Sequence, residues 1–379
     1  MARLVISTVG TSVLTNQIYR DIDENGCYER LQQTANYTDN EIQHYPEIEE
    51  IISELKERAE KELYSDDTDK IRQASAELNG IYGLYNEQIE QGIPDMHLLV
   101  TTDTAQGQIA AEIVESFLKR KGLTNISTHA QRGLSTASSD IFVEGMAKLF
   151  PSMQETIKTW QKSKYTICFN LVGGFKPLQG YFNTIGMFYA DEIIYVFEGS
   201  NQLIKIPKLP VKVDVSEIKP YEVQLAMMEV GAISTSWEEA KKVPQEWILV
   251  DGQEMTVSAW GQLLWEQCKK ELLSKEKPLQ FPKLEYHQSF LDDYEAKPAH
   301  EKIILQENLA RAACLLKNHK DGISAMKQDG IFRLRRYVGK HKDIDHFDLP
   351  KDRRVSCIAR ERTLYLRHYG EHNYVNNNP

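Results

Sequence analysis

Glycines and small polar residues follow three apolar runs in the first half of the chain, and their types suit the binding of a phosphate group. GTS stands at 10–12 after ARLVISTV, TDTAQG at 102–107 after MHLLVT, and NLVGGFK at 170–176 after YTICF. Backbone N–H groups that glycine leaves accessible can point at an oxyanion, and Lys176 adds a positive charge at a predicted helix N-terminus. The GxxxxGK[ST] spacing of a Walker loop is absent from these sequences. We therefore predict a phosphate site of a different kind.

The segment 331–379 is basic, although the chain as a whole is acidic. It holds eleven Lys/Arg against six Asp/Glu, a net charge of +5 in a chain whose net charge is −10. Such a segment favours a polyanionic partner, with RNA or DNA as the first candidate. A solvated charged face is the alternative.

The predicted strands 331–337 and 363–369 place arginine and tyrosine on one face of a sheet. Side chains alternate between the two faces of a strand, so the other face is apolar and suits coverage by a helix. Arginine for phosphate and aromatic rings for stacked bases are typical of a surface for single-stranded RNA. The residues predicted for the arginine- and tyrosine-rich side of the sheet are Arg333, Arg335, Tyr337, Tyr365, Arg367 and Tyr369. Those predicted for the apolar side are Phe332, Leu334, Leu364, Leu366 and His368.

Histidines and further cations in this segment suit cleavage of RNA by its own 2′-hydroxyl. Histidine exchanges a proton near neutral pH, as this reaction requires. Arg335, Lys340 and Arg367 could neutralise the charge that develops on the phosphorane. No carboxylate pair is evident, so we predict a reaction without a metal or other cofactor. The histidines without regular zinc spacing are His341, His346, His368 and His372.

The predicted phosphate-binding residues at 10–12, 102–107 and 170–176 must be positioned by the elements around them. These elements alternate between strand and helix. Ile109, Ile113 and Phe117 recur at four-residue spacing, and Pro177 suits the first turn of another helix. This alternation predicts a doubly wound, parallel α/β domain, in which ligands bind beyond the carboxyl ends of the strands. The predicted strands are 2–9, 96–102, 165–172 and 192–198.

The chain is predicted to hold three parts. The α/β domain covers 1–210 and is interrupted at about 40–91 by a charged helical hairpin whose turn lies at 65–69. A mixed connector segment covers 211–299, and its three prolines at 278–298 suggest a linker or a loosely packed connector. A small α+β domain covers 300–379, with a helix followed by an antiparallel sheet that includes a hairpin of 354–360 and 363–369.

Composition predicts a cytoplasmic protein with no membrane partner. The apolar N-terminal run is broken by Gly10, lacks a signal-peptide cleavage region and is too short to span a bilayer. The cysteines at 27, 168, 268, 314 and 357 are isolated from one another, which is typical of reduced thiols rather than of a disulfide framework.

At 10–12 and 170–176 the sequence resembles the CARF domains of CRISPR-associated effectors, over roughly residues 1–210. Such domains are Rossmann-like homodimers that bind cyclic oligoadenylate, made by type III CRISPR complexes, and cyclic tetra-adenylate is the expected ring. Val172 stands where the family motif often has a hydroxyl residue. This departure argues against cleavage of the cyclic ligand more than against its binding. The ligand-binding residues that the resemblance implies are Gly10, Thr11, Ser12, Asp103, Thr104, Gln106, Gly173, Gly174 and Lys176.

Residues 300–379 resemble the RelE/YoeB-type toxin fold in size, terminal position and the run LYLRHYGEHNYVNNN. That family cleaves messenger RNA in the ribosomal A site and leaves a cyclic phosphate. By analogy, Arg367 fits the phosphate-binding arginine, and His372 or Tyr374 fits the proton-transfer group. The implied catalytic residues are Arg335, Lys340, Arg367, His368, His372 and Tyr374, and the implied RNA-binding residues are Arg333, Arg336, Lys342, Arg353, Arg354 and Tyr365.

CARF–RelE fusions are a known class of CRISPR-associated effector, so the two resemblances support each other. Together they imply a ribosome-dependent mRNA endonuclease that cyclic oligoadenylate activates. One alternative is a transcription regulator whose tail binds DNA, although 331–379 carries no helix-turn-helix pattern. A second alternative is a ring nuclease that degrades cyclic oligoadenylate and uses its tail for docking.

Overall fold

The computed structural model describes residues 2–19, 26–65, 67–197 and 201–379. The chain forms two compact units, Met1–Val211 and Lys212–Pro379. Among the residues described, no helix is both long and apolar enough to cross a membrane.

A six-stranded sheet forms the centre of the first unit. Its strands are β1 (Arg3–Thr8), β2 (Met96–Thr101), β3 (Ile126–Ala130), β4 (Thr166–Asn170), β5 (Glu192–Val196) and β6 (Leu203–Pro207). They lie in the order β3-β2-β1-β4-β5-β6, parallel except for β6, which runs antiparallel to β5. The order changes direction between β1 and β4, where doubly wound sheets bind ligands. The predicted mixed α/β class with a parallel sheet is therefore confirmed.

The predicted strands of the first unit are those with continuous apolar runs. Leu4, Val5 and Ile6 are all fully buried, because a parallel strand is covered on both of its faces. The edge strands β3 and β6 were not predicted, since both are half exposed and mixed in composition. Residue 198, the last of the predicted strand 192–198, lies outside the described residues.

The helices of the first unit connect the strands and cover the sheet. They are α1 (Ser12–Thr15), α2 (Cys27–Gln33), α3 (Asp39–Ile42), α4 (Pro46–Leu63), α5 (Thr68–Ala74), α6 (Ala76–Leu84), α7 (Ala105–Arg120), α8 (Ser139–Lys162) and α9 (Lys176–Tyr189). The hairpin predicted for 40–91 is wrong in its second arm, which is divided into α5 and α6. Ser75 causes the division, because its side chain accepts a hydrogen bond from the Leu78 N–H and caps a new helix. Residue 66 of the predicted turn lies outside the described residues.

The second unit contains two sheets and seven α-helices, together with short 3₁₀ turns, in the described residues. Its strands are β7 (Ile233–Ser234), β8 (Ile248–Asp251), β9 (Glu254–Val257), β10 (Leu284–Tyr286), β11 (Arg335–Arg336), β12 (Asp345–Leu349), β13 (Arg353–Arg360) and β14 (Thr363–Glu371). Its helices are α10 (Val215–Ile218), α11 (Glu222–Val230), α12 (Ala259–Leu273), α13 (Gln288–Glu295), α14 (Ala299–Asn318), α15 (Gly322–Gln328) and α16 (His372–Asn377). The larger sheet has the order β10-β14-β13-β12-β11, and the smaller has the order β7-β9-β8.

The segment 278–298 is part of the second unit's core, so its interpretation as a linker is wrong. β10 pairs in parallel with β14, and Phe290 and Tyr294 of α13 are fully buried. The prolines lie outside β10 and α13 and do not loosen the packing. The predicted connector 211–299 and the predicted domain 300–379 share one hydrophobic cluster, which runs from Ile218 to Tyr369.

The hairpin of β13 and β14 is confirmed. Glu361 and Arg362 form its turn with φ values of 43° and 67°, as a two-residue turn between right-twisted strands requires. The strand predicted at 331–337 is wrong in extent, because only Arg335–Arg336 pairs with β12. Arg333 has a φ of 46°, which interrupts an extended conformation.

Candidate functional site

The loops that follow β1 and β4 lie against each other in the first unit. A Cβ atom at Gly10 would lie 3.0 Å from the Cα and N atoms of Gly174. Gly174 itself has a φ of 100°, and a Cβ there would lie 2.8 Å from the Cβ of Thr8. The Thr8 hydroxyl donates a hydrogen bond of 2.5 Å to the Gly173 carbonyl oxygen. The structure thus brings the sequences GTS and NLVGGFK together, and their glycines permit the close approach.

A buried carboxylate that the sequence did not reveal fills the gap between these two loops. Glu77 Oε1 accepts a hydrogen bond of 2.8 Å from the Gly10 N–H. Its Oε2 accepts hydrogen bonds from the hydroxyls of Ser12 (3.2 Å) and Ser75 (2.8 Å). A Cβ at Gly173 would lie 2.0 Å from Oε1. Glu77 is fully buried, and burial raises its pKa although the three hydrogen bonds oppose that rise.

An open pocket lies beyond the carboxyl ends of β4 and β5. Its volume is about 680 Å³. Amide and aromatic side chains line it, together with the backbone of the loop after β4, and Lys176 is exposed at the start of α9. The polar side chains in its lining are Gln73, Asn79, Gln179, Tyr195 and Asn201. The pocket therefore offers hydrogen-bond donors, acceptors and aromatic rings next to the loop after β4, but none of the nine predicted ligand residues is among the described residues that line it.

The predicted ligand residues after β2 make contacts within the fold. Thr104 caps α7, because its hydroxyl accepts a hydrogen bond from the Gly107 N–H (3.2 Å). Asp103 accepts a hydrogen bond of 2.8 Å from the Gly133 N–H. The buried Gln106 side chain donates to the Leu31 carbonyl oxygen at 2.9 Å. These bonds hold α2, α7 and the loop before α8 in place.

One face of the larger sheet in the second unit carries a row of polar side chains. Across β11, β12, β13 and β14, the register aligns Arg335, His346, Ser356 and His368. The next row on this face aligns Asp348 with Arg354, followed by Gly370, where the Tyr374 ring takes the space of a side chain. We call this surface the polar face; it comprises Arg335, His346, Asp348, Arg354, Ser356 and His368.

A bulge in β14 changes which residues belong to the polar face. Ser356 pairs with His368 but Cys357 pairs with Leu366, so Arg367 is the extra residue. The predicted alternation is therefore wrong beyond Leu366: His368 joins the polar face, and Tyr369 turns into the core with 1% exposure. The Nε of Arg367 is buried and lacks a hydrogen-bond partner among the described residues.

Asp348 is the centre of a cluster of cationic side chains on the polar face. It accepts hydrogen bonds from Arg354 Nε (2.9 Å) and Nη2 (2.7 Å). Both of these bonds are to Oδ1, and His372 Nε2 lies 3.0 Å from the same oxygen. Arg335 Nη2 lies 2.8 Å from the other oxygen, Oδ2. Burial raises the pKa of Asp348, but the hydrogen bonds and charges of the two arginines hold that pKa below its ordinary value. Arg354 also donates to Asn376 Oδ1 at 2.7 Å, which ties α16 to the sheet.

A second aspartate, Asp293 of α13, contacts the other end of the polar face. Its Oδ2 lies 2.9 Å from His368 Nδ1 and accepts the Tyr369 N–H at 3.0 Å. Its Oδ1 accepts the Tyr374 hydroxyl at 2.6 Å. This hydrogen bond, together with burial and the negative charge of Asp293, raises the pKa of Tyr374 to about 12. His368 and His372, both predicted as catalytic, are thus each held by a carboxylate.

His346 is a functional candidate that sequence reasoning noticed only for its lack of zinc spacing. It is 5% exposed, and the Tyr337 ring lies against it at 4.1 Å between centroids. Burial, with the charges of Arg354 and Arg335, lowers its pKa to about 4, so it is neutral at pH 7. No signal in the sequence distinguishes it, because its environment depends on pairing across four strands.

The remaining predicted residues lie around this face rather than on it. Arg353 turns to the opposite side, where it binds Glu301 at 2.9 Å. Arg336 lies 3.3 Å from Asp345. The other predicted residues are exposed on the turns beside β11 or on β14, namely Arg333, Lys340, Lys342 and Tyr365.

Comparison with protein families adds one result, which concerns the first unit. The matched segment begins in α5, includes Glu77 and the loop 170–176, and ends just after β6. It therefore contains the residues that line the pocket. It includes Gly174, but not its contact partner Gly10. Over residues 72–209 the chain is similar to the family described as CRISPR-associated protein (Cas_APE2256).

Proposed function

We propose that this protein is a CRISPR-linked effector, with a ligand-sensing first unit and a metal-independent endoribonuclease in the second unit. The similarity to a CRISPR-associated family supports the biological setting. The observation that carries the nuclease is the pair of carboxylate-held histidines, His368 with Asp293 and His372 with Asp348. Both histidines lie at the face that holds Arg335 and Arg354.

Two histidines and a guanidinium are the groups that RNA transesterification needs. One histidine accepts the proton of the 2′-hydroxyl as the 2′-oxygen bonds to phosphorus. The other histidine donates a proton to the 5′-oxygen as the P–O5′ bond breaks. Arginine stabilises the charge of the phosphorane between these steps. The products are a 2′,3′-cyclic phosphate and a 5′-hydroxyl.

The first unit is proposed to bind cyclic oligoadenylate as a homodimer, with cyclic tetra-adenylate as the expected activator. Two separate observations support this assignment: the open pocket of amide and aromatic side chains next to the loop after β4, and the exposed Lys176 at the start of α9. A cytoplasmic effector of this kind acts on messenger RNA in the ribosomal A site, since the ribosome positions the strand for attack. The ligand activates the nuclease only if it binds the active state more tightly than the inactive one.

Primer extension on a translated messenger RNA tests the proposal. We expect new 5′ ends within the open reading frame when cyclic tetra-adenylate is present, and a background level without it. The upstream fragments should carry a 2′,3′-cyclic phosphate, which resists ligation until it is opened. Cleavage that leaves a 3′-hydroxyl, or no cleavage with any cyclic oligoadenylate from three to six adenylates, contradicts the proposed function.

A further inference from the structure

Asp293 contacts two of the candidate catalytic side chains, although it lies outside the sequence segment that carries them. It belongs to α13, 75 residues before His368 in the chain. Its two oxygens accept hydrogen bonds from different elements: Oδ2 from β14 and Oδ1 from α16. A single carboxylate thus connects the strand of His368 to the helix of His372.

The contact with His368 determines which ring nitrogen is available. A carboxylate oxygen at 2.9 Å from Nδ1 accepts a hydrogen bond, so Nδ1 carries the hydrogen. The neutral ring then has its lone pair on Nε2. The Tyr369 N–H fixes the same oxygen, Oδ2, against the backbone directly after the bulge, and this limits rotation of the carboxylate.

The contact with Tyr374 removes one alternative for proton transfer. The phenol donates its hydrogen to Asp293 Oδ1 at 2.6 Å, and its pKa is raised to about 12. Tyr374 is therefore protonated at neutral pH and is not a general base. Its ring meets the His368 ring edge-on, with centroids 6.1 Å apart, so the hydroxyl that binds Asp293 also places the phenol beside the histidine.

The side chains of Asp293 and His368 are largely shielded from solvent, which helps to keep the hydrogen bonds of Asp293 in place. The side chain of Asp293 is 14% exposed and that of His368 is 21% exposed. Hydrogen bonds to a carboxylate are stronger than neutral ones, and partial burial strengthens them further. Ser289, one turn before Asp293, donates to the Arg367 carbonyl oxygen at 2.6 Å, so α13 is fixed to the bulge itself.

We propose that Asp293 is the positioning residue of the nuclease site: it holds His368 in the Nδ1–H tautomer, with Nε2 facing the RNA. This inference rests on the proposed ribonuclease. In the reaction, the 2′-hydroxyl proton moves to or from Nε2, while the Nδ1–H bond to Asp293 stays intact. Asp293 touches neither substrate nor leaving group and acts through His368.

Asp293→Leu separates positioning from the filling of space. Leucine keeps a similar volume but has no oxygen to accept the Nδ1–H, so His368 loses the partner that selects its tautomer. We expect kcat for ligand-activated cleavage to fall on the order of 100-fold or more, with KM little changed, as in other Asp–His pairs. Asp292→Leu is the matched control, because Asp292 is the exposed neighbour on the same helix and should leave the rate unchanged.

A double-variant cycle tests whether Asp293 acts through His368. If it does, Asp293→Leu should cost nothing further in the His368→Ala background, because the group that it positions is gone. Additive losses in the two single variants and their combination would overturn the inference. Full activity of Asp293→Leu, with wild-type cleavage intact, would overturn it while leaving the proposed ribonuclease in place.

A spectroscopic measurement gives an answer that does not depend on activity. In full-length protein with ¹⁵N-labelled histidine, the His368 ring should show the Nδ1–H tautomer, and Asp293→Leu should abolish this preference. The signal is assigned by its loss in His368→Ala. An unchanged preference for the Nδ1–H tautomer in a folded Asp293→Leu protein overturns the inference. A correct tautomer in a protein that does not cut RNA overturns the proposed function and, with it, the role of Asp293 in cleavage.

Discussion

Glu77 in the first unit and Asp348 in the second are both carboxylates that accept at least three hydrogen bonds, but their donors differ in kind. Glu77 receives a backbone N–H and two serine hydroxyls. Asp348 receives two arginines and a histidine, and its side chain is 23% exposed. The donors of Glu77 carry no charge, whereas the two arginines on Asp348 are positively charged at neutral pH.

The two kinds of contact correspond to two roles. Glu77 joins the loops after β1 and β4, whereas Asp348 and Asp293 each contact a histidine. The N–H of Gly10 and the hydroxyl of Ser12, which were predicted to meet a phosphate, are occupied by Glu77 in this structure. The histidines on Asp348 and Asp293 each keep one ring nitrogen for another partner. The first unit therefore holds its glycine loops together with a buried carboxyl group, and in the proposed ribonuclease the carboxylates of the second unit orient the histidines.

The largest expected effect of a single substitution is that of Asp348→Asn. The change leaves Arg354, which is 6% exposed, without its charged partner, and such a loss costs about 3 kcal/mol or more. We expect a matching decrease in the free energy of unfolding of the second unit, measured by denaturant titration. Asp352→Asn is the control, because Asp352 is 80% exposed at 3.9 Å from His372.

The same variant should change how stability depends on pH. The pKa of Asp348 is lowered in the folded protein, so its stabilising contribution is present above the unfolded-state pKa and is lost as the pH falls. Asp348→Asn should therefore flatten the acid side of the stability curve. An equally steep acid decline in the variant would contradict the assigned role of Asp348.

Arg367→Ala should reduce cleavage on the order of 100-fold, as the loss of one preorganised charge stabiliser commonly does. Arg367 is the bulged residue of β14, it is half-buried, and its buried Nε has no hydrogen-bond partner among the described residues. In the proposed ribonuclease its guanidinium binds the phosphate. Arg360→Ala, at the exposed end of β13, is the control. Wild-type activity of a folded Arg367→Ala protein would remove Arg367 from the site.

Lys176→Ala should weaken the binding of cyclic tetra-adenylate by roughly 1.5–3 kcal/mol per contact, the size of a charge-assisted hydrogen bond. More ligand would then be needed for half-maximal cleavage, while cleavage at saturation approaches that of the wild type. Affinity and activation are measured on one preparation, with Lys162→Ala on the exposed end of α8 as the control. Unchanged affinity would mean that the loop 170–176 serves the fold alone.

The smallest expected effect is that of Glu77→Gln, which tests the comparison of Glu77 with Asp348. The amide keeps most of the hydrogen bonds and is neutral at every pH, so ligand affinity should change by about 1 kcal/mol or less. Burial raises the pKa of Glu77, so the carboxyl stabilises the fold below its unfolded pKa and this contribution is lost as the pH rises. In thermal melting at a series of pH values, Glu77→Gln should lose less stability as the pH rises than the exposed control Glu90→Gln.

The parallel sheet of the first unit was predictable because each inner strand is a continuous apolar run. The hairpin of β13 and β14 was predictable for a related reason, since two alternating strands leave only Glu361 and Arg362 between them. In contrast, β10 and α13 lie among prolines, and their burial depends on a pairing with β14 far along the chain.

The candidate site of the second unit was predictable in its residue types but not in its arrangement. His368, His372 and Arg335 were singled out from the sequence, and they do lie at one face. The bulge at Arg367 reverses the alternation after Leu366, and a bulge leaves no signal in a period-two pattern. The aspartates that hold the histidines come from distant elements, so the sequence showed no carboxylate pair.

The two edges of the larger sheet bear on how the protein behaves at high concentration. One edge, β11, is only Arg335–Arg336, and the other, β10, is only Leu284–Tyr286. An unpaired strand recruits another chain when it is long, flat and uncharged, and both edges here are too short for that, while β11 is also charged. The sheet therefore gives an incoming strand little template, and it should resist strand-mediated aggregation even where the protein is abundant.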